Sequence, residues 1–221
     1  MKRQLPFFSA LAILLVFGTT SSAQVKFGVK AGLNLANISA DNELLGGISP
    51  KMLPSFHAGF LAEFGISENL GIGAGLQISG KGFKVSESDG GDKYEVTSRP
   101  LYLQVPVSLN YTNNGFFAGV GPYIGFGIGG KNKESLNGDS AKTDINFGDG
   151  SGSSDDTYAS LDYGIGLELG YLISGNIRLS ASYNFGLANA LPKEYREDEF
   201  GKYKINHKVI GISATYLFGA Q

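Results

Sequence analysis

From Leu161 to Tyr171 the chain reads Leu-Asp-Tyr-Gly-Ile-Gly-Leu-Glu-Leu-Gly-Tyr, with large apolar residues at odd positions and glycine or acidic residues at even ones. This is the period of two of a β-strand with one apolar and one polar face. The alternation recurs in seven other segments. With turn residues as boundaries, it predicts strands near 25–37, 54–66, 70–85, 94–111, 115–130, 157–173, 176–190 and 205–218.

One face of the eight runs through Phe27–Leu35, Leu101–Tyr111, Leu161–Tyr171 and Ile177–Leu187 at odd positions, and through Phe56–Ile66, Leu70–Ile78, Phe116–Ile128 and Ile210–Phe218 at even ones. It holds only Ala, Val, Ile, Leu, Phe, Tyr and Pro122, in a chain that is 42% hydrophobic overall. The other face carries Lys30, Asn34, His57, Glu63, Gln77, Tyr102, Gln104, Asp162, Glu168, Arg178, Ser180, Ser182 and Asn184 among many of the 33 glycines. An apolar outside with a polar, glycine-rich inside is the pattern of a barrel facing lipid. A soluble barrel, with its apolar face turned in around a ligand, would be left with a glycine-rich, charge-poor exterior ill suited to water.

The connections alternate too. Ser67–Asn69, Thr112–Asn114 and Ser174–Gly175 are tight turns, whereas 38–53, 86–93, 131–156 and 191–204 are long and polar. Short turns at one end and long loops at the other predict an all-β fold, an eight-stranded antiparallel up-and-down transmembrane β-barrel of a Gram-negative outer membrane, with periplasmic termini. Outward aromatic residues near the strand ends, such as Phe27, Tyr171 and Phe218 at one end and Phe56, Phe126 and Tyr163 at the other, fit the two lipid interfaces.

Ahead of this domain (24–221), residues 1–23 read as a secretory signal peptide: Lys2 and Arg3, an apolar run from Phe7 to Gly18, then Ser21-Ser22-Ala23. The run is too short for a spanning helix. Losing Lys2 and Arg3 from 18 basic against 20 acidic residues leaves a mildly negative chain, so no nucleic-acid partner is expected. Without cysteine there is no disulfide framework, thiolate metal site or acylation site.

Gly28-Val-Lys-Ala-Gly-Leu-Asn-Leu-Ala-Asn-Ile-Ser39, Phe56-His-Ala-Gly-Phe-Leu-Ala-Glu-Phe64, Gly75-Leu-Gln-Ile-Ser-Gly-Lys-Gly82 and Tyr102-Leu-Gln-Val-Pro-Val-Ser-Leu109 resemble the PorT-like outer-membrane β-barrel proteins of Bacteroidetes. The resemblance spans essentially the whole chain after the signal. It implies an eight-stranded barrel inserted by the barrel-assembly machinery, which reads a terminal strand like Gly211–Phe218. Here Gly219-Ala220-Gln221 follow the final aromatic, a small departure from chains that end on it. The family takes its name from a member implicated in type IX secretion, which makes envelope or secretion proteins the partners to consider beside outer-membrane lipid.

An eight-stranded barrel has an interior just wide enough for side chains to fill. Lys30 at the depth of Glu63, and Glu168 one diagonal step from Arg178, with Asp162 nearby, are expected to form a charge network that plugs the lumen rather than an ion path. His57 and His207 are placed inward at the long-loop rim. With Asp162 they would make a metal or acid–base cluster, against the plainer reading of hydrogen-bonding rim residues.

No metal, cofactor or catalytic residue is assigned. A lipid-side hydrolase would need a nucleophile and base on the outer wall, which offers no Ser, His, Asp or Glu, and an acyl-binding lumen would not carry Lys30, Glu63, Glu168 and Arg178. The spacing of Asp144, Asp149, Asp155 and Asp156 does not fit the twelve-residue calcium loop, and the Gly/Ser/Asp-rich 131–156 segment is expected to be a mobile loop. Pro106 and Pro122 remove ladder donors in adjacent strands, predicting bulges. The reading is a monomeric structural or interaction protein acting through its loops, with an accessory part in secretion as the alternative.

Overall fold

The computed structural model describes residues 25–40, 49–148, 158–192 and 204–218. The signal-like stretch 1–23 lies outside them, as do Asp149, Asp155 and Asp156. Twelve strands are present among the described residues: β1 (Val25–Ala40), β2 (Leu53–Gly65), β3 (Leu70–Gly80), β4 (Phe83–Asp89), β5 (Asp92–Asn113), β6 (Phe116–Leu136), β7 (Asp139–Asp144), β8 (Phe147–Gly148), β9 (Tyr158–Ala159), β10 (Leu161–Ser174), β11 (Ile177–Gly186) and β12 (Ile205–Phe218).

Eight of them close into an antiparallel ring in the order β1, β2, β3, β5, β6, β10, β11, β12. The ring shuts where β1 pairs with β12, Phe27 opposite Phe218 and Leu33 opposite Ile212. Closure satisfies both edges of each of the eight strands, the condition for spanning a bilayer with β-structure.

The alternation sets the two faces as read from sequence. Leu33, Phe60 and Ile212 are 71%, 69% and 68% exposed on the outside, whereas Lys81, Gln104 and Thr215 on the inside are nearly inaccessible. Such a contiguous apolar exterior would be an aggregation hazard in water and is the expected surface toward lipid. Tyr216 packs edge-on against Phe218 with ring centroids 5.2 Å apart, within the aromatic set of the short-turn end.

Three expectations need correction. The segment 70–85 is not one strand: β3 stops at Gly80, the chain breaks at Lys81-Gly82, and β4 resumes the pairing with β5. The stretches 86–93 and 131–148 are not open loops, because β5 and β6 continue beyond the ring and, flanked by β4 and β7, form a four-stranded sheet above it. Its hairpins turn at Gly90-Gly91 and Asn137-Gly138, all four residues with positive φ, the geometry of tight turns whose twist matches the strands. Lastly, Pro106 and Pro122 cause no bulge: Pro106 lies opposite Tyr123, Leu109 opposite Val120 and Pro122 opposite Ile165, in unbroken register. Each proline subtracts a donor while its φ suits an extended strand, and no extra residue is present to displace the register. The register does shift between Leu101 and Tyr102, where β6 carries an additional residue between Gly127 and Gly129.

Candidate functional site

The lumen is filled in layers. Nearest the short turns, Arg178 on β11 donates to Glu63 on β2 at 2.7 Å, and its guanidinium lies 3.7 Å from the centre of the Phe117 ring. Lys30 on β1 reaches Glu168 on β10 at 2.7 Å, and Ser180 donates to the other Glu168 oxygen at 2.6 Å. The charges thus meet, but in exchanged partnership: Lys30 takes Glu168 and Arg178 takes Glu63, each pair crossing the lumen instead of following neighbouring strands.

Further in, the Asn34 amide donates to the Phe56 carbonyl, Ser79 Oγ and the Gly80 carbonyl. With its nitrogen so committed, Asn34 Oδ1 faces His57 Nδ1 at 2.8 Å as an acceptor, so the imidazole proton sits on Nδ1 and Nε2 accepts from Ser213 Oγ at 2.8 Å. A cavity of about 100 Å³ bounded by Lys30, His57, Gln104 and Glu168 has room for a few waters.

Above it Lys81 pairs with Asp162, both essentially inaccessible, and the Lys81 ammonium stands 4.3 Å from the Tyr123 ring centre and 5.3 Å from that of Tyr102. Ion pairing and two aromatic faces together offset the loss of water around a buried ammonium. Lys81 was not among the residues singled out from sequence. It continues the inward odd positions Gln77 and Ser79, but it sits where the strand breaks.

The long-loop mouth is closed by rings. His207 stacks on Tyr158 at 6.0 Å, inclined 14°, and lies 5.6 Å from Tyr102, while Phe147 meets Tyr102 edge-on at 5.4 Å. Phe147 and Tyr158 arrive on β8 and β9, a two-residue parallel pair folded into the opening. Phe147 fills the space over Gly127, where any side chain would collide with it. The Tyr158 hydroxyl meets Ser98 Oγ at 2.8 Å, and burial pushes its phenol up to about 12. Ile145, Ala190 and Ile205 pack around this plug.

The two histidines do not share a site. His57 lies opposite Gly32, deep in the lumen, whereas His207 lies opposite Ile38 near the mouth, so the shared rim placement holds for His207 alone. Among the described residues no group of three or more His, Asp or Glu is arranged to hold a metal ion.

No curated protein sequence matches this chain. Among solved structures, it is similar to the attachment invasion locus protein Ail of Yersinia pestis (12% identity, 88% of this chain and 99% of that one, TM-score 0.43). It is also similar to Neisserial surface protein A (11%, 86% and 96%, TM-score 0.43) and to the outer membrane protease OmpT of Escherichia coli (10%, 90% and 99%, TM-score 0.40). Residues 19–191 match the profile of the outer membrane protein beta-barrel domain. With that match over most of its length and a closed ring of eight antiparallel strands, the chain belongs to the outer membrane protein beta-barrel domain family.

Proposed function

We propose that this is a sealed barrel, a structural or interaction protein whose lipid-facing wall anchors it while the sheet and loops at the long-loop end make its contacts. The layering of Lys81–Asp162 beneath the Tyr102, Phe147, Tyr158 and His207 rings carries the reading, since among the described residues it fills the cross-section with a paired, not a free, charge. Purified protein in planar bilayers is expected to show no stable single-channel steps; reproducible steps would overturn the seal. The same filled lumen and a nucleophile-free outer wall support a non-enzymatic role.

The termini face the periplasm in this reading and the β4–β7 sheet faces outward. Impermeant amine labelling of intact cells should modify Lys93, exposed beside the Gly90-Gly91 turn, and labelling only after the outer membrane is opened would reverse the orientation. The PorT-like resemblance favours a second reading, an accessory part in a type IX-like secretion pathway. A deletion strain that retains secreted cargo would support it, and normal export would remove it.

A further inference from the structure

Above the lipid-facing wall the outward surface becomes basic within one row of residues. Leu101 and Leu103 continue on the same face of β5 to Arg99 and Thr97. On β6 the extra residue between Gly127 and Gly129 changes the parity, so that Lys131 and Lys133 point outward where unbroken alternation would have aimed them in. Residues paired directly across antiparallel strands share a face. One row therefore reads Arg99, Lys131, Asp144, and the next reads Lys51, Lys84, Thr97, Lys133, Lys142. Each row lies about 7 Å above the one below, and neighbouring strands are about 4.8 Å apart.

Three directly opposed pairs on this face have like charge: Lys51–Lys84, Arg99–Lys131 and Lys133–Lys142. Such pairs destabilise a sheet. Among the described residues, carboxylates pair with Lys84 (Glu95 at 2.8 Å) and Lys131 (Asp144 at 2.7 Å), with Lys133 also within the field of Glu95, while Arg99 donates to the Pro54 carbonyl at 2.9 Å. The chain as a whole is slightly acidic, so this concentration of cations runs against its balance. Its height, directly above the apolar rows ending at Leu101 and Ile128, matches the headgroup layer of a bilayer whose acyl chains meet the wall below.

We propose that this face binds the phosphate-bearing headgroups of the glycolipid in the outer leaflet. The lipid places its phosphates against the two basic rows and its acyl chains against the wall beneath, so the like-charge pairs close around a shared anion. The assignment to the outer leaflet rests on the orientation proposed above. An inverted result in the surface labelling would overturn that assignment, whereas the phosphate contact is read separately on purified protein.

The test is native mass spectrometry of the full barrel from neutral detergent with diphosphoryl lipid A and with the same lipid stripped of both phosphates. Each Lys or Arg near an anionic surface is worth roughly fivefold in affinity. The expected result is at least about tenfold preference for the phosphorylated form, weakened by high salt, with a similar loss in the combined variant Lys51→Gln, Lys133→Gln, Lys142→Gln. Heat-modifiable migration checks that the variant is folded. Freed of like-charge repulsion, it should resist denaturant in lipid-free detergent at least as well as the parent.

Equal retention of the two lipids, an unaffected variant, or displacement of lipid A by an equimolar soluble acidic polysaccharide would overturn the proposal. So would a variant that unfolds more readily without lipid, since the lysines would then serve the sheet itself.

Discussion

Arg178 and Glu63 are separated in the wall by β12 and β1, yet their side chains meet inside the lumen at 2.7 Å. The pair ties β11 to β2 through the barrel interior, a connection that backbone pairing between neighbouring strands cannot make. Its desolvation is repaid only while both partners are present, so removal of one leaves a buried charge.

Arg178→Met should therefore lower stability by about 3–5 kcal/mol, and Glu63→Leu by a comparable amount. The double variant should recover much of the loss, because neither charge is then stranded. Urea unfolding in lipid vesicles measures all three, and strictly additive losses would show that the two side chains act independently.

The Lys81–Asp162 pair gives a sharper version of this comparison, because Lys81 is fully enclosed and rests against the faces of Tyr102 and Tyr123. Lys81→Met should cost about 3–5 kcal/mol by isolating Asp162, and Asp162→Asn in the same chain should restore part of it. If the lumen is sealed by this layer, Lys81→Ala combined with Phe147→Ala should produce bilayer current where the parent gives none. A silent variant that still shows heat-modifiable migration would place the seal elsewhere.

The ring and its two faces were legible because lipid outside and polar side chains inside impose a strict alternation on each spanning strand. The partnership of the charges was not, since Lys30 meeting Glu168 depends on how the closed ring brings β1 and β10 across from each other, which no local pattern encodes. Lys81 had the right parity, but it stands just past the end of β3 at Gly80, in the break it forms with Gly82, whose φ is 122°. The stretches 86–93 and 131–148 of the sheet above the ring were read as loop for a related reason. In β7, exposed at all of its positions, no buried face imposes an alternation. Gly90-Gly91 and Asn137-Gly138 were nevertheless hairpin signals within those stretches.

Gly32 tests how tightly the inner wall is packed. A methyl group there would stand 2.6 Å from His57 Cε1 and collide with the Ile212 carbonyl, which as backbone has little room to yield. Gly32→Ala should destabilise the barrel by about 1–3 kcal/mol through overpacking. His57→Ala in the same chain removes the ring clash but not the carbonyl clash, so rescue should be incomplete. Full recovery of the urea midpoint would assign the whole cost to the histidine.

Tyr158 makes the mouth plug sensitive to alkali. Burial raises its phenol from 10 to about 12, so between these values the plugged state holds a proton that an open, hydrated tyrosine would release. By linkage the stabilisation is complete below pH 10 and lost as pH rises through about 12. The Ser98 hydroxyl opposes the shift slightly and does not reverse its sign. Amide exchange at Tyr158 and Ala159, whose N–H groups donate to the Asn146 and Ala190 carbonyls, should accelerate across this interval beyond the intrinsic rise with pH, while exchange in β11 and β12 shows no such excess. Tyr158→Phe should weaken the pH dependence, leaving the share of the other buried plug phenol, Tyr102, and keep the stack on His207. An unchanged profile in that variant would show that another group controls the plug.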